Sequence, residues 1–274
     1  MKLPPVLTIA GSDSSGGAGL QADLKTFTVL GAYGMSVVTA LTAQNTRAVT
    51  KILPVPPDFV QAQLEAVWAD IPPQAIKTGM LAHAGIIQVV RGFLLQRAYG
   101  VPLVVDPVLV AASGARLLDA EAEAALLELC AHATVVTPNL PEAAALAGLP
   151  EPQSEAEALQ LGKHLAHAYP QPYWVIKGGH ASWEKHTVTS WVFRAGKLVQ
   201  RHVQARLSLS KPPHGTGCTL ASAVAALLAQ GASVSIAIEE GLDFVHRALQ
   251  AADPSLGQAA TVLNPLGARP CLQP

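Results

Sequence analysis

The stretch HGTGCT at residues 214–219 leads directly into the Ala- and Leu-rich run Leu220 to Gln230. Two glycines and small hydroxyl residues before an apolar helical pattern indicate a tight turn that opens a buried helix. The first N–H groups of such a helix have no partner within it, and the helix dipole adds positive charge at the same point. Gly215, Thr216 and Gly217 are therefore predicted to form an anion site, suited to a phosphate or to the charge that develops in phosphoryl transfer.

Cys218 falls in the first turn of this predicted helix. The pKa of a thiol tends to fall at a helix N-terminus, so we expect a thiolate to be available there. An ordinary glycine turn before a core helix, with Cys218 as a small buried residue, explains the six residues equally well. The remainder of the chain has to decide between the two interpretations.

The bulk properties of the 274 residues exclude several classes of protein. A formal net charge of −1 provides no basic field, so nucleic acid is not an expected partner. The three cysteines are widely spaced and form no CxxC, so neither a zinc site nor a disulfide framework is indicated, and a reducing cytoplasm is expected. The N-terminal apolar run is too short for a signal peptide, and no run predicts a membrane span.

Apolar runs of strand length alternate with helical patterns along the whole chain. This alternation predicts one layered α/β domain over residues 1–274 with a mostly parallel sheet. Strands are predicted at residues 6–10, 35–43, 49–55, 75–77, 102–105, 134–136 and 173–176, with a hairpin at 188–193 and 198–203. Helices are predicted at residues 20–30, 58–68, 86–98, 120–131, 155–169, 220–230 and 233–251, with 58–68 capped by Asp58.

Polar side chains follow several of the predicted strands. Asp106 ends one apolar run, a position that hosts ligands in open α/β sheets, although a turn acid would look the same. Lys177 ends another, before two glycines, and could reach a phosphate or simply lie at the surface. Asn139 and Glu142 stand three apart at a helix start, where they could organise a hydrated Mg²⁺ or merely form a capping box.

The loop GSDSSGGAG at residues 11–19 follows the first predicted strand. It contains GxGxxA, but the loop is too long and lacks the acid expected further on for a dinucleotide site, so we interpret it as a glycine loop over a small substrate. Asp23 then falls in the first helix, where it would favour the helix N-terminus or face the loop. Gln44 ends a strand, where its amide could pair with a heterocycle or sit in a turn.

Seven of these motifs in order carry a family resemblance. LTIAGSDSSGGAGLQADLKTF, TALTAQNTR, KTGML, DPVLVAASG, TPNLPEA, KGGH and HGTGCTLASA resemble the hydroxymethylpyrimidine/phosphomethylpyrimidine kinases of thiamine biosynthesis, in the ribokinase-like superfamily. The match runs from about Val6 to about Gly231. The resemblance implies a three-layer α/β/α fold without a separate lid domain, a homodimer, and ATP- and Mg²⁺-dependent phosphorylation of 4-amino-5-hydroxymethyl-2-methylpyrimidine and its monophosphate.

The resemblance also implies roles for particular residues. Lys177 would contact the ATP phosphates, Asp106 and Glu142 would hold Mg²⁺ through water together with Asn139, and Cys218 would take the alcohol proton. Related sugar and pyridoxal kinases carry Asp at the position of Cys218, which favours the pyrimidine. The pyrimidine pocket would be lined by Gly11, Asp23, Gln44, Met80 and Val108.

The sequence departs from the family pattern in three places. Pro212-Pro213 stand where Asn-Thr-like residues are usual, Ser190 replaces a common Asp, and the C-terminal glycine-rich region is only loosely matched. Two competing functions stay open. A pyridoxine/pyridoxal kinase or a dual-specificity vitamin kinase would use the same parts, since the two rings differ by one or two hydrogen bonds. A non-catalytic ligand sensor on the same fold is the alternative from a different class.

Overall fold

The computed structural model describes residues 3–109 and 120–268. The predicted loop at residues 111–114 and Cys271 lie outside the described residues. Within them the chain alternates strands and helices as the sequence predicted, and the strand ends meet along one edge of a single large sheet.

The central sheet has eight strands in the order β10-β9-β8-β7-β6-β5-β1-β2. The six strands from β8 to β2 pair in parallel, and β9 and β10 extend the sheet as an antiparallel hairpin at one edge. The strands are β1 Pro5–Ala10, β2 Tyr33–Val38, β5 Ala75–Thr78, β6 Leu103–Val105, β7 Val135–Val136, β8 Tyr173–Lys177, β9 Thr187–Arg194 and β10 Lys197–Ala205. Four short strands outside this sheet are β3 Ala40–Gln44, β4 Val49–Pro54, β11 Pro213–His214 and β12 Thr261–Val262.

Helices cover both faces of the sheet and make three layers. The helices are α1 Gly19–Val29, α2 Pro57–Asp70, α3 Ala84–Arg97, α4 Ala120–Ala131, α5 Leu140–Ala147, α6 Glu155–Ala168, α7 Thr216–Ala229 and α8 Val234–Gln250. Alternate strand residues point to opposite faces, so Val104 packs under α7 while Val105 joins the core on the other side. The predicted three-layer α/β/α fold is therefore confirmed.

The predicted strand at residues 35–43 is two strands. The chain leaves the main sheet after Val38, and Thr39 bonds through its N–H to Ala10 O and through its hydroxyl to Met80 O. Because Thr39 makes these bonds, β3 can turn away and pair with β4 as a separate antiparallel hairpin. A β-branched threonine is favourable in either a strand or a break, so the sequence could not reveal the bend.

Two helix starts also differ from prediction. Asp58 does not cap α2; the cap is Pro56, with Pro57 at the first helical position, where its missing N–H costs nothing. Helix α7 begins at Thr216, so Cys218 lies in its first turn as predicted, although the apolar run of the helix was predicted only from Leu220. The glycine stretch is therefore the first turn of the helix itself, and this placement brings Gly217 and Cys218 into the site.

Candidate active site

The carboxyl ends of neighbouring strands converge beside the N-terminus of α7. Two strands end in a polar residue, β5 in Thr78 and β8 in Lys177. Asp106 directly follows β6, and Thr137 directly follows β7. Thr137 Oγ1 donates to Asp106 Oδ1 at 3.1 Å, and Lys177 Nζ donates to the same oxygen at 3.2 Å. In an open parallel sheet this edge is where ligands bind.

The first turn of α7 is held open by Gly215. This residue adopts φ of 88°, in the left-handed region, and a Cβ there would overlap the carbonyl oxygen of Gly17. The first hydrogen bond of the helix is donated by Thr219 N to Gly215 O. The N–H groups of residues 216–218 therefore precede the helical ladder and point together at the space in front of the turn, as an anion site requires.

A lysine and two carboxylates adjoin this turn. A Cβ on Gly217 would lie 3.0 Å from Lys177 Nζ and 3.2 Å from Asp106 Oδ2, so both side chains contact the helix start. Lys177 Nζ also lies 3.9 Å from Glu142 Oε2. Although burial opposes its charge, Asp106 and Glu142 raise the pKa of Lys177, which stays a cation at neutral pH. The helix turn and the Lys177 ammonium thus lie side by side, with the two carboxylates against the ammonium.

Asn139 and Glu142 form the capping box of α5. Glu142 N donates to Asn139 Oδ1 and Asn139 N donates to Glu142 Oε2, both at 2.8 Å. Burial raises the pKa of Glu142 to about 7 even though Lys177 acts to lower it. The local interpretation and the functional one are thus compatible, because the capping carboxylate also faces Lys177.

Oxygen donors at this edge suit a hydrated Mg²⁺. Asp106, at the end of β6, and Glu142, in the first turn of α5, approach the same ammonium. Mg²⁺ is commonly bound by one or two carboxylates together with water and phosphates. Among residues 3–109 and 120–268 there is no group of three or more His, Cys, Asp or Glu side chains arranged to hold a metal ion. The donor set therefore fits a cation held through water and a bound phosphate, and not an all-protein cage.

The glycine loop is attached to β3. Ser12 N donates to Ala40 O, Thr42 Oγ1 donates to Ser12 O at 2.7 Å, and Gln44 N donates to Ser14 Oγ at 2.9 Å. These bonds fall on alternate residues of β3, so the loop runs along the strand as an extra edge. This arrangement fixes Gln44 beside the loop.

Two other predicted pocket residues are brought together, and one stands apart. Gly11 N donates to Met80 O at 3.1 Å, and a Cβ on Gly11 would lie 3.3 Å from Met80 Sδ. Val108 is half-buried, and its N–H donates to Asp106 O at 2.9 Å. This bond ties the backbone of Val108 to the strand end that carries Asp106.

Asp23 lies beneath the site and is fully buried. Lys77 Nζ contacts both of its oxygens at 2.8 and 2.9 Å, and Thr8 and Ser222 each donate a hydroxyl to it at 2.6 Å. With its acceptors engaged in this way, Asp23 does not present a free carboxylate to a ligand. Asp23 can therefore influence substrate binding only indirectly, through residues that it holds in place, such as Lys77.

The structure reverses the expectation of a Cys218 thiolate. The charge of Lys77 and the backbone N–H of Gly19 both act to lower the pKa of Cys218. Burial is the largest influence and acts the other way, and the charges of Asp23 and Asp106 add to it, so the pKa of Cys218 rises to about 12. The thiol is neutral at pH 7 because burial, reinforced by the two carboxylates, outweighs the effect of Lys77 and of the Gly19 N–H on its pKa.

Three residues at the site were not predicted from the sequence. Lys77 pairs with Asp23, and His214 Nε2 lies 2.9 Å from Asp13 Oδ2. A lysine inside an apolar strand is one available signal, because a buried cation needs a partner. An Asp two residues before a serine, as Asp13 is before Ser15, is the other, because it marks an Asx turn.

Comparison with known proteins identifies relatives of this chain. The sequence profile described as phosphomethylpyrimidine kinase matches residues 13–264. A hydroxymethylpyrimidine/phosphomethylpyrimidine kinase of Escherichia coli is 44% identical, over 92% of this chain and 93% of that enzyme.

Two solved structures resemble the fold. The pyridoxal kinase from Staphylococcus aureus in complex with pyridoxal superposes with a TM-score of 0.87 at 32% identity, over 99% of this chain and 96% of that one. The phosphomethylpyrimidine kinase from Clostridium difficile 630 gives 0.75 at 37% identity, over 89% and 99%. Within the described residues of this chain, none of the helices is long and apolar enough to cross a membrane.

Proposed function

The chain belongs to the phosphomethylpyrimidine kinase family, and we propose that it transfers the γ-phosphoryl group of ATP to 4-amino-5-hydroxymethyl-2-methylpyrimidine and then to its monophosphate, in thiamine biosynthesis. The observation that carries the proposal is the start of α7. Gly217 adjoins Lys177 and Asp106, while Gly215, two residues earlier, packs directly against Gly17 of the glycine loop. One helix terminus thus joins a phosphate-binding side to a small-molecule side.

The proposed reaction depends on positioning and charge. The substrate hydroxyl oxygen attacks the γ-phosphorus, the bond to the β–γ bridging oxygen breaks, ADP leaves, and the hydroxyl proton is released to solvent once the new O–P bond has formed. Charge on the transferred group is met by the N–H groups of residues 216–218 and by the ammonium of Lys177. Phosphoryl transfer is catalysed mainly by such stabilisation and alignment, so no covalent intermediate with the protein is required.

Asp106 and Glu142 are the residues proposed to hold Mg²⁺ through water, assisted by Asn139. The ion, when bound with ATP, supplies positive charge between the phosphates. The protein's own contribution is to keep both carboxylates beside Lys177. Thr137 fixes Asp106 from one side, and the capping box fixes Glu142 on the other.

Cys218 is proposed to hydrogen-bond the reacting hydroxyl. A thiol with a pKa of about 12 is not a ready base at pH 7. A loose transition state retains the alcohol proton until the new bond is well formed, so little help from a base is needed. The base role suggested by the resemblance stays a prediction that the pH profile of the reaction tests.

The pyrimidine is proposed to lie against the surface that the glycine loop and β3 form together. Gly11 and Met80 would provide the apolar contact, and the Gln44 amide would pair with polar groups on the ring. Asp23 would support this pocket from below through Lys77. Val108 would close the pocket on the side of Asp106.

A pyridoxine/pyridoxal kinase is the second candidate function. It is favoured by the TM-score of 0.87 with the pyridoxal kinase from S. aureus, against 0.75 with the C. difficile phosphomethylpyrimidine kinase. Sequence identity points the other way, at 32% and 37% respectively. Overall shape alone does not set specificity, so the two substrates must be compared directly.

The deciding experiment is product-resolved phosphorylation with ATP and Mg²⁺. Hydroxymethylpyrimidine, its monophosphate, pyridoxine and ribose would be offered in parallel, and products separated by chromatography. Mono- and diphosphate from the pyrimidine, with little product from the others, is the expected result. Comparable turnover of pyridoxine would move the assignment to a vitamin B6 or dual kinase, and no turnover would favour the ligand sensor.

We also propose a homodimer in the cytoplasm. An exposed apolar pair supports the dimer: Leu41 of β3 is 50% exposed and Leu53, opposite it on β4, is 65% exposed. Free Cys218 at the site supports a reducing compartment, where thiols persist.

A further inference from the structure

His214 joins three parts of the site that are far apart in the sequence. Its side chain is 6% exposed, and its Nε2 lies 2.9 Å from Asp13 Oδ2 in the glycine loop and 3.5 Å from Gln44 Nε2 on β3. A Cβ on Gly17 would lie 2.6 Å from His214 Cδ2, so the loop packs directly on the imidazole. His214 itself directly precedes the anion turn.

The protonation of this contact follows from Asp13. Its carboxylate accepts from Ser15 N, Ser15 Oγ and Ala18 N at 2.7 to 2.9 Å. Burial opposes the charge, but the bonds from His214, Ser15 and Ala18 lower the pKa of Asp13 to about 2. The carboxylate is therefore ionised and offers only acceptors, so His214 Nε2 must carry the proton that it shares with Asp13.

That proton decides how the Gln44 amide must lie. With the single His214 Nε2–H donated to Asp13, an amide nitrogen at 3.5 Å would set two donors against each other, whereas the amide oxygen can share the same proton as a second, longer acceptor. The contact with Thr42, on the other side of the amide, favours the same orientation. Thr42 gives its one hydroxyl proton to Ser12 O, so Thr42 Oγ1, 3.4 Å from the amide, can accept from the nitrogen. Both contacts favour the oxygen towards His214 and the nitrogen towards Thr42.

An amide held in this way presents a defined edge to the pocket. One N–H and one lone pair of the oxygen stay free after His214 and Thr42 are satisfied. A ring nitrogen beside an exocyclic amino group is the complement of that pair, as in the reading of adenine by Asn or Gln. An aminopyrimidine carries this arrangement, and a pyridine alcohol such as pyridoxine does not.

We propose that His214, held by Asp13, is a positioning residue that orients the Gln44 amide and so selects an aminopyrimidine over a pyridine. The inference rests on the proposed function for its substrate, but the orientation is a property of the unliganded protein. His214 acts through Gln44 and need not contact the reacting atoms.

The test compares His214→Ala and His214→Gln with wild type. Steady-state kinetics would give kcat and KM for hydroxymethylpyrimidine, pyridoxine and ATP. Since one hydrogen bond of about 1.4 kcal/mol corresponds to a tenfold change, we expect His214→Ala to lower the pyrimidine-to-pyridoxine ratio of kcat/KM roughly tenfold. The loss should fall on KM for the pyrimidine, with KM for ATP within about twofold. His214→Gln can donate to both partners and should recover most of the ratio.

A matched control is His202→Ala. His202 is half-buried and, like His214, is paired with an aspartate, Asp243 at 3.1 Å, but it lies on β10 at the far edge of the sheet. The pyrimidine-to-pyridoxine ratio of kcat/KM in His202→Ala should equal that of wild type. An unchanged ratio in His214→Ala would overturn the proposal, and so would equal losses for pyrimidine, pyridoxine and ATP, because these would indicate general disruption of the site.

A binding measurement separates this proposal from the proposed function. Calorimetry with 4-amino-2-methylpyrimidine and with pyridine, without ATP, requires no turnover. Weaker aminopyrimidine binding in His214→Ala supports the proposal even if wild type proves inactive as a kinase, in which case only the proposed function fails. Equal affinity of wild type for the two rings would overturn the His214 proposal even if the kinase activity is confirmed.

Discussion

At the scale of single residues, Cys218 illustrates how competing influences set chemistry. The helix start and Lys77 favour a thiolate, while burial, Asp23 and Asp106 oppose it. Both carboxylates are paired with lysines, Asp23 with Lys77 and Asp106 with Lys177. The thiol is therefore neutral because burial, reinforced by the two carboxylates, outweighs the effect of Lys77.

Replacing Cys218 tests this neutral role. Cys218→Ala removes the group beside the hydroxyl, and we expect kcat to fall by more than about tenfold, with KM for ATP within about twofold. Cys218→Ser keeps a neutral hydrogen-bonding group and should retain more activity than Cys218→Ala. Initial rates between pH 6 and pH 9 are the measurement. A wild-type rate that climbs tenfold per pH unit, with a flat profile in Cys218→Ser, would favour a thiolate base; near-normal turnover in Cys218→Ala would remove Cys218 from catalysis.

Asp13 predicts a pH dependence of stability. Its pKa is depressed from 3.8 to about 2 in the folded chain, so its contribution is fully present above pH 3.8 and lost as the pH falls towards 2. At pH 7 Asp13→Asn should lower the free energy of unfolding by roughly 2 kcal/mol, at about 1.4 kcal/mol per pH unit. Denaturant titrations from pH 7 to pH 3 should show the difference between the two proteins narrowing only below about pH 4.

The control for Asp13 is Asp70→Asn, at the exposed C-terminal end of α2. An exposed change of this kind should alter the free energy of unfolding by no more than about 0.5 kcal/mol. A difference between Asp13→Asn and wild type that stays constant down to pH 3 would mean that the carboxylate is not the stabilising group.

At the scale of elements, one buried ion pair fastens the layers under the site. Lys77 comes from β5 and Asp23 from α1, while the hydroxyls of Thr8 and Ser222 come from β1 and α7. All four side chains are fully buried. The register pairs Thr8 with Lys77 on adjacent strands, so the cluster holds both helices against the centre of the sheet.

Removing one partner of this pair should be costly. Lys77→Met leaves the Asp23 carboxylate buried without its cation, and we expect the free energy of unfolding to fall by roughly 3–5 kcal/mol. Adding Asp23→Leu removes the orphaned charge, so the double variant should be more stable than Lys77→Met. Denaturant unfolding of the two single variants, the double variant and wild type forms the cycle. Lys163→Met, at an exposed position of α6, is the control, and additive losses would contradict the pairing.

Sequence patterns predicted the elements better than the contacts between them. Fully apolar runs such as residues 102–105 are unambiguous strands, and the strand-end positions of Asp106 and Lys177 follow from topology alone. Whether Glu142 caps a helix or faces a ligand could not be decided, because the structure has it do the first while lying beside Lys177. The contact between Asp13 and His214 spans 201 residues, and no local pattern encodes it.

At the scale of the whole molecule, the β3–β4 hairpin stands outside the eight-stranded sheet. Its residues on β4 from Thr50 to Pro54 are exposed, and the Leu41–Leu53 pair lies on one face of it. The same hairpin holds the glycine loop through Ser12 and Ser14, and it carries Gln44 at the end of β3. A contact that steadies this hairpin would therefore steady the substrate side of the site as well.

Dimerisation through this face is the prediction at this scale. Leu53→Glu places a charge on the exposed pair, and light scattering after size exclusion should show the wild-type dimer converted to monomer. Since Gln44 lies on the same hairpin, KM for the pyrimidine should rise on dissociation while KM for ATP changes less, because Lys177 and the start of α7 belong to the main fold. Leu198→Glu, at a 40% exposed leucine on β10 at the opposite edge, should remain a dimer with unchanged KM values. A Leu53→Glu protein that stays dimeric would move the interface to another surface, and a wild-type monomer with full activity would show that the hairpin needs no partner.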